Sequence, residues 1–276
     1  MDSQVNEQMN LFNFFKSKPV LSDEDKAFQA ATFKWLLTHF GGDNFFNVSS
    51  LILPTKDFFP SRVDSPEKAA VDTFEAVKHY AGLFEWHCRL EAQEEDINPT
   101  VAPTITLSDL PNNPNGTFRV TETNDVVITY NPKLTNNPIQ MVATFAHELA
   151  HYLTATAAEP PPGGWENWEF ATDITATFLG FGIFMANSAF NFTQFSGVDS
   201  QGWQSNRSGY LTENEHLYAL AIFLLLKGMS SDESIIHLKP HLKKTLRKSI
   251  KEIQQSNLIE ELKKVKYKGL GQKENN

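Results

Sequence analysis

A single cysteine, Cys88, in 276 residues excludes an internal disulfide framework. Its neighbours Trp86 and Leu90 alternate with it as one face of a strand, so it reads as a core side chain. Apolar runs of membrane-spanning quality are also missing. Residues 174–190 come closest, but they contain threonines and an asparagine and follow directly on Glu169 and Asp173. Residues 217–226 are continuously apolar and too short. Both read as buried core helices. Positive charge is scarce at the N-terminus, where Met1 to Lys18 carry acidic and polar residues without a long apolar region, so no secretory signal is expected and the expected address is the cytoplasm. No internal repeat and no nucleic-acid motif is present. The net charge is −9, yet the last forty residues hold 11 Lys/Arg against 4 Glu. Lys243, Lys244, Arg247, Lys248 and Lys251 make a basic helix surface there, read as a solvated face.

What the chain does have is His147-Glu148-Leu149-Ala150-His151. On a helix, residues four apart share a face, so both imidazoles can point at one metal ion. Glu148, one residue on, is turned to the side, where it can reach a metal-bound water without ligating the metal. The segment suits a helix. Asn137 can cap it, Pro138 fits its first position, and Ile139, Val142, Ala146, Leu149 and Leu153 form an apolar stripe. Phe145, Ala146, Leu149, Ala150, Tyr152 and Leu153 look buried, and burying two imidazoles and a carboxylate without partners would cost several kcal/mol. A solvated surface helix is therefore the weaker reading.

A catalytic zinc ion usually takes three protein ligands and leaves one position open. An H-x-x-G-x-x-H continuation fails here, because Thr154 and Ala157 stand at the glycine and histidine positions. A carboxylate from a following helix is the other common solution. Glu166, Glu169 and Asp173 are the candidates, with Glu169 and Asp173 one helical turn apart on one face.

At these residues the chain resembles the gluzincins, the thermolysin-like zinc metallopeptidases, in which H-E-x-x-H is followed by a second helix bearing E-x-x-x-D. The stretch through Leu179-Gly180-Phe181-Gly182 also looks like bacterial proteins carrying H-E-L-A-H. The likeness covers roughly residues 86–228, and its diagnostic motifs lie on the two metal helices. It implies that His147, His151 and Glu169 bind zinc, that Glu148 activates water, and that Asp173 holds a ligand histidine from behind. Seventeen residues separate His151 from Glu169, close to the gluzincin habit. Trp168 stands where that group often has Asn. The glycine-rich and E-G-C-x-S motifs of peptide deformylase, whose cysteine is a ligand, are missing. From Phe170 to Phe190 the helix is almost wholly apolar, with Gly180 and Gly182 permitting close helix contact, and a carboxylate one turn inside it needs a cation. Complementing the helix dipole suits Glu166, at the very start, better than Asp173. The ligand order is then Glu169, Glu166, Asp173.

The expected architecture is α+β and zincin-like, with a small mixed sheet and helices, and the active-site helix between them and a C-terminal helical lobe. Residues 1–20 form a flexible arm, 21–157 an α+β lobe ending in the H-E-x-x-H helix, 158–264 the helical lobe with the glutamate helix, and 265–276 a tail. Expected elements are a helix from Ser22 to about His39, a strand over 48–53, a helix from Ser65 to about Leu83, and strands over 86–92 and 101–107. A hairpin over 117–121 and 126–130 follows, then the two metal helices, a polar loop over 191–211, a helix from Thr212 to about Lys227, and a helix from Ser230 interrupted near Pro240. Val126–Tyr130 could be an edge strand that pairs with an extended peptide, or an interior one.

The expected activity is hydrolysis of peptide bonds in a peptide or protein substrate, with Zn2+ as cofactor. Tyr210 and His216, around the start of a later helix, are the candidate donors to the oxyanion. The alternatives are a metal-binding or catalytically retired zincin fold serving as a protein-interaction module, and a helical scaffold with a chance motif.

Overall fold

The computed structural model describes residues 18–42, 44–60, 65–94, 115–195 and 211–269. Capping side chains set the starts of four helices. Helix α1 (Asp23–Phe40) begins where the Ser22 side chain accepts from the Asp25 amide, with three acidic residues in its first turn. Helix α2 (Pro66–Tyr80) opens in the same way on Ser65, with Pro66 in its first turn.

Three strands follow: β1 (Arg89–Ala92), β2 (Gly116–Val120) and β3 (Val126–Tyr130). The sheet is mixed, in the order β1-β3-β2. Strand β1 runs parallel to β3 with Arg89 opposite Val127, and β2 runs antiparallel to it with Gly116 opposite Tyr130. Val126–Tyr130 is thus the central strand, which explains why four of its five residues are buried. Among the described strands, β2 is an outer one.

Helix α3 (Pro138–Thr154) follows a short 3-10 turn and is capped by Asn137, whose side chain accepts from the Gln140 amide. All but three of its residues, Pro138, Ile139 and Tyr152, are buried. A 3-10 turn (Trp165–Asn167) leads into α4 (Trp168–Ala176), and a π-helical turn (Thr177–Phe181) joins it to α5 (Gly182–Phe195). Helix α6 (Glu213–Lys227) carries a full capping box between Thr212 and Glu215 and ends on Gly228 in the left-handed region. Three shorter helices close the fold: α7 (Asp232–His237), α8 (Leu242–Gln254) and α9 (Leu258–Lys263).

Two apolar cores result. One joins α1, α6, α8 and α9, and the other joins α2, the sheet, α3 and α5. Helix α3 is central to the second, through Phe145, Ala146, Leu149 and Ala150. The architecture is α+β, predominantly helical, with a small three-stranded mixed sheet. Among the described residues no helix is long and apolar enough to cross a membrane.

Several sequence expectations need correction. Residues 48–53 are not a strand: a π-helical turn (Asn44–Val48) is followed by irregular chain. Leu51 and Ile52 are buried, and the Ile52 amide donates to the Gly180 carbonyl at 3.0 Å instead of to a sheet. The apolar run there reports burial, not strand pairing. The strand expected over 86–92 starts only at Arg89, because Trp86 still belongs to the turn leaving α2, its amide bonded to the Leu83 carbonyl. The second metal helix is not continuous to Phe190. Gly180 has φ +104°, and a Cβ there would collide with the Ser50 carbonyl, so the chain kinks at the one residue type that fits. Gly182 does provide the expected close contact: a Cβ would lie 2.9 Å from Leu220 on α6. The C-terminal helix breaks twice, near Pro240 and again at Gln255–Asn257. Part of the expected tail is ordered against α1, with the Lys268 amide donating to the Thr38 carbonyl. Most of the N-terminal arm, the strand over 101–107 and Tyr210 lie outside the described residues.

Tyr218, on α6, is 4 % exposed, and burial together with the nearby Glu252 charge pushes its phenol up to about 12. An unfolded tyrosine ionises near pH 10, so between about 10 and 12 the unfolded chain gives up a proton that the folded one keeps. Stability should fall through that window. Denaturant titrations across it should show a steeper loss in wild type than in Tyr218→Phe, and equal slopes would contradict the assignment.

Candidate metal centre

His147 and His151 sit one turn apart on α3 and face α4, which brings Glu169. The two Nε2 atoms are 3.1 Å apart, and Glu169 Oε2 lies 3.3 Å from each. These three atoms form a nearly equilateral triangle. Zinc–ligand bonds of 2.0–2.1 Å at tetrahedral angles separate ligand atoms by about 3.3 Å, so the triangle has the size of one face of such a site.

The partners of the two outer ring nitrogens allow the same use. His147 Nδ1 is 2.9 Å from Asp173 Oδ1, and His151 Nδ1 is 3.3 Å from the Thr172 hydroxyl. With each ring proton on Nδ1, both Nε2 atoms turn lone pairs towards a carboxylate oxygen. Three lone pairs that close together call for a positive charge among them, either a shared proton or a metal ion. Burial works to lower the His147 pKa, but hydrogen bonds to Asp173 and Glu169 outweigh it and hold the imidazole well above its ordinary value. Burial likewise works to raise Glu169, and His151 and then His147 pull it far below the usual carboxylate range. The atoms that share a proton in this arrangement are the same three that could hold a metal ion.

Glu148 is 5 % exposed, and burial pushes its carboxyl up despite the neighbouring histidines. It lies beside the start of β2. A Cβ at Gly116 would sit 3.0 Å from Glu148 Oε1 and 2.9 Å from the Thr129 carbonyl, so only glycine lets the strand approach this closely. Phe118, two residues along β2, stacks on the His151 ring at 6.2 Å, and Trp168 meets the same ring edge-on at 4.8 Å. Trp168 is fixed in turn by its indole N–H, which donates to the Thr154 hydroxyl at 2.8 Å.

Asp173, fully buried, accepts at Oδ2 from the Leu211 amide at 2.9 Å. Among the three carboxylates considered from sequence, Glu169 faces both histidines, Asp173 lies behind His147, and Glu166 is exposed on the 3-10 turn outside the cluster. His216 is misplaced for an oxyanion donor. It is fully buried on the far side of Asp173, its Nε2 3.6 Å from Oδ2.

Sequence reasoning missed Thr172, Gly116 and the Leu211 amide. Thr172 follows Glu169 by three positions and so shares its helix face, a signal that could have been used. Gly116 opens a strand across from the metal helix, and a backbone amide such as that of Leu211 leaves no trace in side-chain identity. Compared with protein-family models, with curated proteins and with solved structures, the chain matches none.

Proposed function

We propose that this chain is a zinc-dependent metallopeptidase of the gluzincin kind, built on a zincin-like fold. The observation that carries the proposal is the triangle of His147, His151 and Glu169 with a buried carboxylate, Glu148, beside it. His147, His151 and Glu169 would hold the zinc, and Asp173 would keep the His147 ring and its proton in place. Zinc so held would supply Lewis acidity and lower the pKa of water at the site.

Glu148 supplies the proton chemistry. Its carboxylate takes a proton from the attacking water and passes it to the leaving amine. A carboxyl raised by burial suits that shuttle, since it must hold a proton near neutral pH and release it again. Strand β2, lying against Glu148 and His151, is the outer strand along which an extended peptide could align by main-chain hydrogen bonds. A docking module that merely held a metal would have no use for a buried Glu148, whose ionisation burial disfavours.

Elemental analysis of purified protein should find one zinc per chain. A peptide-library digest should show cleavage that a chelator stops and added zinc restores. Absence of stoichiometric metal would leave the chance-motif scaffold, and zinc without cleavage of any peptide pool would favour the docking module.

A further inference from the structure

We propose that His216 is a positioning residue for the metal ligand His147, acting through Asp173. The inference rests on the metal reading above. Asp173 is fully buried and spans the two histidines: Oδ1 faces His147 Nδ1 at 2.9 Å, and Oδ2 lies 3.6 Å from His216 Nε2. An ionised carboxylate has roughly four acceptor positions, and two protein donors at hydrogen-bond distance, His147 and the Leu211 amide, leave room for a third.

His216 itself is fully buried, and neither of its ring nitrogens has a hydrogen-bond partner among the described residues. A neutral imidazole must keep its one N–H somewhere. On Nδ1 it would leave the Nε2 lone pair facing an anion. On Nε2 it points at Asp173 Oδ2, a few tenths of an ångström beyond hydrogen-bond range. The Nε2–H form is therefore the favourable one, and a small approach of the ring completes the contact.

The consequence reaches the metal. Donors on Oδ2 draw charge from the carboxylate, so the proton between Asp173 Oδ1 and His147 Nδ1 stays on nitrogen. His147 then keeps its Nε2 lone pair aimed into the ligand triangle. His216 and Leu211 come from one short segment at the entrance to α6, locked by the Thr212–Glu215 capping box and by Gln29, which donates to the Glu215 carbonyl at 3.3 Å. The entrance of α6 thereby fixes a ring on α3 through a carboxylate on α4.

His216→Met and His216→Gln have similar shape, but only Gln keeps an N–H. Zinc affinity, measured against a chromogenic chelator, should fall about tenfold in His216→Met and stay near wild type in His216→Gln, while the metal-free melting temperatures of the two remain alike. In an Asp173→Ala background, His216→Met should weaken zinc no further. Where Met does not fold, Leu in its place makes the same comparison. Equal affinity in the Met and Gln variants, or an undiminished effect without Asp173, would overturn the inference while zinc in wild type kept the metal reading. A wild type that binds no zinc would overturn both.

Discussion

Alanine at His147, His151 or Glu169 is expected to reduce bound zinc to substoichiometric levels, while Glu166→Ala leaves it unchanged. The three residues supply the whole triangle, and Glu166 stands exposed outside it. Apparent binding energies of four-ligand zinc sites are about 10–16 kcal/mol, so removing one protein ligand of three should cost several powers of ten in affinity. Asp173→Ala should fall between these extremes, at about 10–100-fold, because it frees a ring without removing a ligand. His151→Ala is the cleanest variant, since His147→Ala also strips a buried Asp173 of its close partner and destabilises the metal-free chain. Saturating zinc should raise the melting temperature of wild type and not that of the three ligand variants. A zinc titration across the set decides it. If Glu166→Ala abolishes binding and Glu169→Ala does not, the ligand register is off by a turn of helix.

Glu148→Gln is expected to keep zinc and fold while losing peptide cleavage by orders of magnitude. The substitution preserves shape at a nearly closed position and removes only the capacity to carry a proton. Stability gives a second readout with a definite sign. Burial raises the folded pKa of Glu148, so above the ordinary carboxylate pKa the unfolded chain ionises there more readily than the folded one. That difference erodes wild-type stability as pH rises through the raised value, and glutamine, which cannot ionise, escapes the loss. The metal-free variant should therefore gain on wild type as pH rises above about 4. Undiminished turnover in Glu148→Gln would remove the carboxylate from the chemistry.

The parts of this molecule that could be read from sequence are those governed by spacing along one helix. Asn137, Pro138 and the pair His147 and His151 act within a few residues of one another, and the helix they imply is the helix observed. The Thr212–Glu215 capping box is legible for the same reason. Distance along the chain is what hides the rest. Whether Val126–Tyr130 is central depends on Arg89–Ala92 arriving beside it, more than thirty residues earlier. Gly180 looked like a packing glycine in a long helix, and only the Ser50 carbonyl, brought across from another segment, shows why the helix must kink there. His216 reads as a candidate oxyanion donor from its place near the start of a helix. Its burial behind Asp173 is a tertiary fact.

Helix α4 has two apolar faces: Ile174 belongs to one core, and Ala176 to the other. Helix α5 spans both as well, with Ile183 and Ala186 in one and Phe184 and Met185 in the other. Glu169 meets histidines whose own helix lies in the second core, so the ligand triangle sits where the two cores meet. A dication there would act as a rivet. Its loss would leave the apolar joint in place and remove only the attraction between α3 and α4, so amide exchange after chelation should quicken first along that contact.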